Sequence, residues 1–410
     1  MIAPFAGIEW SGVVRIVQPD SGAIRAANRA SVVNVLRRAG SATRVELMAR
    51  TGLSRATVSS LISDLRLRGL ISERPGPPSD GLGRPPSVLA LNRSAGLAIA
   101  VDVGVRHVAV AVGDLSRCVL AERWISLPHG HDAGQGVATV LRCIDEAMDE
   151  AEADPDQLVG AAISIAAPVA SPSGRLPVPG VLPGWSGEEL ATPVGERWQI
   201  PVVVENDANL GALAECAWGE FAGTPNLLYV KVASRVGLGV VINGSIYHGR
   251  GGFAGELGHL TAERDGPLCW CGRHGCLELY VGAEGLIGQL AGRGTEVRDL
   301  TDLITRAERG VPGVLEVVGR AARVLADGLA ALALLFDPVA IVVGGELAAL
   351  GERLLAPARA ELAAVPFGPP VTIAHSSLGD RASMVGALAL VLTETSRFTD
   401  RSAAVAAAPA

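Results

Sequence analysis

The sequence predicts two unlike modules: a small helical module closed by a two-stranded β-wing, then a large α/β domain in two lobes. Three observations predict this. Charge divides sharply at about Asn92: the first 92 residues carry 12 arginines against six acids, while the remainder carries 23 basic and 36 acidic side chains, and the whole chain is at -7. Apolar residues recur at helical spacing before residue 70, whereas after residue 95 short β-branched runs alternate with helical stretches. Each half of the large domain opens on a hairpin-like run of strands, a pattern that implies two lobes with a cleft between them.

"NRASVVNVLRRAG" (28–40) is a helix with Val32, Val35 and Leu36 on one face and Gly40 as its stop. In "TRVELMARTG", Thr43 and Glu46 have the spacing of a capping box, so a second short helix starts there and ends near Gly52. "LSRATVSSLISDLRLRGL" offers Ser54 as N-cap and puts Val58, Leu61, Ile62 and Leu65 on an inward face. The outer side and leading turn carry Arg55, Thr57, Ser59, Ser60 and Ser63, with no acid before Asp64. Two short helices joined through Thr51-Gly52-Leu53, the second with a polar front, fit a helix-turn-helix whose second helix enters the major groove. "LISE" and "SVLALN" are expected to pair as a wing, with Arg84 near its Pro/Gly-rich tip placed to reach a phosphate or a minor groove. The basic balance favours operator DNA as partner; the competing reading is a packing or dimerisation module.

In the large domain, "GLAIAVDVG", "HVAVAVGDL" and "CVLAERWIS" read as successive strands, a helix follows around 134–153, and "LVGAAISIAAP" adds a strand. "NLLYVKVA", "VGLGVVING" and "VAIVVGG" repeat the scheme. The longest apolar stretch, 328–336, lies between Asp327 and Asp337 and is far short of the roughly 20 residues that span a bilayer. The first 20 residues lack a basic start and carry Glu9 in their apolar part, so no secretory signal is read and a cytoplasmic location, with no membrane partner, is expected.

Three of six cysteines, Cys269, Cys271 and Cys276, fall within eight residues. In a reducing compartment such a cluster binds metal or is redox-active rather than disulfide-bonded. Cys118, Cys143 and Cys216 are scattered and expected to be buried small hydrophobes.

"ENDANLGALAE" (205–215), "GGFAGELGHL" (251–260) and "CWCGRHGCLE" (269–278) together resemble the ROK family of repressors, open reading frames and sugar kinases. The likeness spans roughly residues 96–392 and implies the two-lobed, actin-like (RNase H-like) sugar-kinase fold. The family's repressor branch adds an N-terminal winged helix-turn-helix. The implied organisation is an N-terminal arm (1–24), a winged helix-turn-helix (25–92), a ROK domain (93–395) with a zinc loop (259–278), and a disordered tail (396–410). By resemblance, Asn206, Asp207, Glu256, His259 and Glu278 contact a monosaccharide. Carboxylates and amides suit that ligand because sugar hydroxyls both donate and accept. By resemblance also, His259 joins Cys269, Cys271 and Cys276 as a Cys3His set for structural zinc, a closed tetrahedral site with no position for water. His274 is the competing histidine within the loop.

A member that phosphorylates sugar would use Asp207 as base and glycine-rich hairpins to cradle ATP. The kinase-branch pattern Asp-x-Gly-Gly-Thr-Lys is replaced by Asp102-Val103-Gly104-Val105-Arg106-His107, and Gly-Thr-Gly-x-Gly-Gly-Gly by Ala233-Ser234-Arg235-Val236-Gly237-Leu238-Gly239. Side chains at Val105, Arg235 and Leu238 obstruct a backbone nest for anions. No nucleotide cofactor is therefore expected, and the expectation is a sugar-responsive repressor acting as a homodimer or homotetramer. An active sugar kinase with a fused DNA-binding module is the alternative. Trp185, in a loop that resembles one beside the family's sugar site, is either core or ligand-facing.

Overall fold

The computed structural model describes residues 21–67, 69–76, 87–92, 96–116, 118–128, 131–170, 173–176, 182, 185, 187–363 and 371–393. It divides into two compact units at residues 91/92. Arg84, most of the N-terminal arm and the whole C-terminal tail lie outside the described residues.

The first unit comprises α1 (Ser21–Ala39), β1 (Ala42–Thr43), α2 (Arg44–Thr51), α3 (Arg55–Leu67), β2 (Ile71–Pro75) and β3 (Ser87–Leu91). Helix α1 begins at Ser21, seven residues before the start read from sequence, and buries Val32, Val33 and Leu36, with Val35 only half-buried at the flank. Thr43 and Glu46 close the capping box, and Gly52 takes φ +69 at the end of α2, a left-handed turn that glycine enters without a Cβ penalty. Ser54 Oγ accepts from the Thr57 N–H at 3.2 Å and starts α3, which buries Val58, Leu61, Ile62 and Leu65. The strands order as β1-β3-β2, all antiparallel, with Ile71 opposite Leu91 and Pro75 opposite Ser87.

Polar cross-ties hold this small unit. Arg29 pairs with Asp64 at 3.0 Å, joining α1 to α3. Arg44 grips Glu73 at 2.6 and 3.2 Å, and Arg66 reaches the same carboxylate at 3.4 Å. The hydrogen bond from Arg44 pulls the Glu73 carboxyl down to about 2. A depressed carboxyl stabilises the fold above its ordinary pKa of 4.5, and that contribution is lost as pH falls from there through about 2. With both arginines partly in water the tie is worth about 1 kcal/mol. Glu73→Gln is thus expected to speed amide exchange in β2 and β3 at pH 7, and to remove the extra exchange that the native chain gains between pH 5 and 3.

The second unit repeats one sheet plan twice. β4 (Leu97–Val103), β5 (His107–Asp114), β6 (Val119–Ser126), β7 (Leu158–Ile165) and β8 (Val202–Asn206) order as β6-β5-β4-β7-β8. β9 (Leu227–Val232), β10 (Val236–Ile242), β11 (Ser245–Ile246), β12 (Ala340–Gly344) and β13 (Thr372–His375) order as β11-β10-β9-β12-β13. In both, three antiparallel strands are followed by two parallel ones. α4 (Ala133–Glu150) and α5 (Gly187–Trp198) close the first sheet over a core that includes Val101, Ile144 and Leu190. α7 (Glu278–Val281), α8 (Ala283–Ala291), α9 (Leu300–Glu308), α10 (Pro312–Phe336) and α11 (Glu352–Ala363) build the core of the second lobe around Leu325, Ile341 and Leu355.

Two helices join the lobes. α6 (Asp207–Ala217) packs on β9 and β10, α12 (Ala382–Thr393) packs on β4 and β7, and the two helices pack on each other. Their backbones approach so closely that a Cβ at Gly386 of α12 would lie 1.9 Å from the Leu210 carbonyl oxygen of α6. No helix among the described residues is long and apolar enough to cross a membrane. Trp185 is core, buried against Gly136 and edge-on to His131. Cys143 is buried and Cys216 partly so, but Cys118 is exposed: it sits at the β5–β6 turn, where its N–H donates to Asp114 Oδ1 and its side chain has no core to enter.

Candidate functional site

The cleft of the second unit is open to solvent and lined by both lobes. It holds all five residues expected to meet a sugar: Asn206, Asp207, Glu256, His259 and Glu278. Asn206 ends β8 and caps α6. Its Oδ1 accepts the N–H groups of Ala208 and Asn209 at 3.0 and 3.2 Å, while its Nδ2 donates to Ala167 O at 3.1 Å. The cap fixes the following carboxylate: Asp207 Oδ1 accepts the Ala208 N–H at 2.8 Å, and Oδ2 accepts from Lys231 Nζ at 2.8 Å. Buried Glu205 backs this corner, accepting from Asn206 N and from Asn209 Nδ2 and facing His248 Nε2 at 2.6 Å.

On the opposite wall, Glu256 precedes a 3-10 turn that carries His259. Burial, with the negative charges of Glu278 and Asp207, pushes the Glu256 carboxyl up to about 7. Glu278 opens α7; its Oε1 accepts the Trp270 indole N–H at 2.7 Å and its Oε2 the Val236 N–H at 3.4 Å.

His259 faces two ways. Its Nε2 lies 4.0 Å from Glu256 Oε2, and its Nδ1 lies 3.7 Å from Cys269 Sγ. Cys271 and Cys276 sulfurs stand 3.6 Å apart, and the four donor atoms all fall within 4.8 Å of one another. A tetrahedral zinc with Zn–S of about 2.3 Å and Zn–N of about 2.0–2.1 Å requires S···S near 3.8 Å and S···N near 3.5 Å. The donor set therefore fits zinc. Burial pushes the Cys276 thiol up to about 12, and a cation among the sulfurs would favour its thiolate. The loop is folded for the purpose: Cys269 N donates to Arg273 O, Gly272 N donates to Cys269 O, and a Cβ at Gly275 would strike the Glu263 carbonyl at 1.5 Å. His274 turns away, its Nδ1 at 3.0 Å from Gly266 O, and is outside the cluster.

The two loops that by resemblance would cradle phosphate in a kinase carry side chains that line the cleft. His107 pairs with buried Asp102 at 3.0 Å and stacks on Trp124, centroids 4.2 Å apart and planes at 13°. Its ring covers Gly104 so closely that a Cβ there would meet it at 2.2 Å. In the second loop Arg235 lies over the Trp270 ring, and Leu238 is buried. Lys231, the only lysine of the chain, is held by Asp207 and by Ser383 Oγ at 3.3 Å. Sequence reasoning missed Lys231, Trp124 and Trp270 as parts of the cleft. The signal was present for one of them, since Lys231 is a lone charge in the apolar strand "LLYVKV".

In the first unit, Arg55, Ser59, Ser60 and Ser63 are exposed on α3, opposite its buried face. Thr57 differs: it is half-buried, and its hydroxyl lies 2.9 Å from Ser54 Oγ in the helix cap.

A two-lobed fold with a duplicated sheet plan, a carboxylate-lined cleft and a Cys3His cluster at its rim defines a sugar-kinase-like protein. The chain belongs to the ROK family, whose sequence model matches residues 98–394. A xylose repressor from Bacillus subtilis (strain 168) is 28% identical over 354 residues, covering 85% of this chain and 90% of that protein. A glucokinase from Streptomyces coelicolor is 29% identical over 314 residues, covering 71% of this chain and 96% of the enzyme. Among solved structures, a ROK family transcriptional regulator described as a homologue of the E. coli MLC protein superposes with a TM-score of 0.77 at 23% identity, over 92% of this chain and 99% of that one.

Proposed function

We propose that this chain is a sugar-responsive transcriptional repressor that binds operator DNA through α3 and a monosaccharide in its cleft, without phosphorylating the sugar. The observation that carries the reading is the state of the phosphate side of the cleft. His107 lies over Gly104, and Lys231 occupies Asp207 Oδ2, the carboxylate that a kinase would need as base. Coverage supports the same reading: the alignment to the xylose repressor takes in 85% of the chain, and that to the glucokinase only 71%.

In this reading Asn206 and Asp207 meet the sugar from one wall, and Glu256, His259 and Glu278 from the other, so that bound sugar favours the closed state of the lobes. Zinc held by His259, Cys269, Cys271 and Cys276 serves structure, by fixing the His259 ring and its tautomer. Buried polar groups left unpaired by the wrong sugar give selectivity. A homodimer would place two recognition helices roughly 34 Å apart for successive major-groove faces.

The glucokinase relatives, together with the presence of Asp207, favour a second reading as an active kinase. One experiment separates the two. Operator binding of the full chain is measured by fluorescence anisotropy against xylose, glucose and N-acetylglucosamine, and the same sugars are run in a coupled ATP-consumption assay. One sugar is expected to change operator affinity by about 5- to 150-fold, with no ATP turnover. Arg55→Ala is expected to weaken operator binding and leave sugar affinity unchanged. Turnover of about 1 s⁻¹ or more, typical of kinases, would overturn the repressor reading.

A further inference from the structure

Glu205 stands where the chain first passes from one lobe to the other, next to last in β8 and two residues ahead of α6. Its carboxylate is buried and lines no part of the cleft. Oε1 accepts the Asn206 N–H at 2.8 Å and Asn209 Nδ2 at 2.9 Å, and Oε2 lies 2.6 Å from His248 Nε2. A carboxylate only accepts, so the proton of that last contact sits on Nε2, and Asn209 has to present its amino group and turn Oδ1 away. Asn206 and Asn209, the two residues so held, both line the cleft.

His248 belongs to the other lobe. It follows β11 and sits next to Tyr247, whose N–H donates to Val240 O of β10. It also roots the loop that leads to Glu256: its carbonyl accepts the Ala254 N–H at 3.2 Å, and Gly252, Ala254, Gly255 and Glu256 line the cleft. One residue therefore bonds toward both walls, by its side chain to the Asn206 wall and by its backbone to the Glu256 wall, while lining neither. Without the imidazole, Glu205 Oε2 loses the donor it has in a place shielded from water. A buried carboxylate oxygen stripped of its donor is costly, and it turns until it finds another. Asn209 and the end of β8 turn with it.

We propose that His248, outside the cleft, is a positioning residue: through Glu205 it holds the Asn206–Asn209 wall in register with the loop that carries Glu256, and so sets the sugar affinity. This rests on the sugar-binding reading above and adds a residue that neither touches sugar nor binds the metal.

The test is titration calorimetry on the full-length chain and its His248→Gln, His248→Asn and His248→Ala variants, with xylose, glucose and N-acetylglucosamine as probes. Glutamine places an amide N–H where Nε2 stands, whereas asparagine reaches only as far as Nδ1. The sugar that the native chain binds is expected to bind His248→Gln within about 3-fold of native, and His248→Asn and His248→Ala about 10-fold or more weakly, the scale of a hydrogen bond to a charged group. The two amide variants keep a polar side chain at a half-buried position, so a difference between them reports reach and not folding. Hydrogen exchange without sugar gives a second readout: amides of residues 205–210 are expected to exchange faster in the asparagine variant than in the glutamine variant. Equal sugar affinity in the glutamine and asparagine variants, or native affinity in His248→Ala, overturns the inference and leaves the sugar-binding reading standing. Binding of none of the three sugars by the native chain overturns both.

Discussion

His259→Ala is expected to lose the metal and the sugar response together. The imidazole is the only one of the four donors that also faces the cleft carboxylates, with Nδ1 toward Cys269 and Nε2 toward Glu256. Removing it opens the tetrahedral set and takes away a cleft-facing hydrogen-bonding group in one step. The damage should spread, because the cysteine loop also carries Trp270, whose indole N–H holds Glu278, and whose ring packs edge-on against His259 at 4.8 Å. Loss of an outer partner of a metal ligand already costs about 10- to 100-fold. Loss of a ligand that doubles as a binding group is expected to cost about 100-fold or more in sugar affinity, with zinc content near zero. Two controls sharpen the result. Cys271→Ser removes a donor that does not itself line the cleft and should lower zinc content and sugar affinity together. His274→Ala, bonded to Gly266 O and outside the cluster, should change neither. Metal analysis and calorimetry on the three variants decide the matter, and normal sugar binding by a zinc-free Cys271→Ser chain would falsify the coupling.

The contrast between His259 and Lys231 shows which parts of the site were legible in the sequence. Metal donors must lie at fixed spacing along a short loop, so Cys269, Cys271 and Cys276 are visible as a local pattern, and the family motif supplies His259. The helix caps are equally local: Thr43 with Glu46, and Ser54 with Thr57, lie three residues apart and were readable from that spacing. The Lys231–Asp207 pair joins a strand to a helix 24 residues away and leaves no periodic trace. The same holds for Asp102, His107 and Trp124, brought together only by the antiparallel register of β4, β5 and β6. Those contacts are the ones on which the proposed non-kinase reading rests.

Much of the fold was legible for the same reason. The hairpin strands that open each lobe are long and apolar, and read as strands without ambiguity. The short outer strands β8 and β13 were not read, being five and four residues long and partly exposed. Helix α1 was read too short, because its first turns carry no capping signal and little periodicity. That the two sheets share one order, with α6 and α12 between them, follows from crossovers that no window of sequence contains.

The α6–α12 crossing yields the second large effect, since one substitution is expected to have opposite signs at two helical glycines. Gly386→Ala puts a methyl 1.9 Å from the Leu210 carbonyl oxygen and 2.4 Å from its carbon. The obstacle is backbone, so no side chain can swing aside and the helices must part. Overpacking of a core contact costs about 1–3 kcal/mol and occasionally more; with two helices displaced, about 3 kcal/mol is expected. The site shares the damage. The first turn of α6 presents Asp207 beneath its Asn206 cap, and Ser383 of α12 donates to the Asp207 carbonyl at 3.1 Å and receives Lys231. Gly386→Ala should therefore lose sugar affinity although residue 386 lines no part of the cleft. Gly288, in α8, is exposed and has nothing within 4 Å of its would-be Cβ. There alanine only restricts the unfolded chain and improves helix propensity, so Gly288→Ala is expected to stabilise by about 0.5–1 kcal/mol. Denaturant midpoints and calorimetry on both variants check this. Equal stabilities for the two chains would mean that α6 and α12 are not in backbone contact, and the link from their crossing to the Asp207 corner would fall with it.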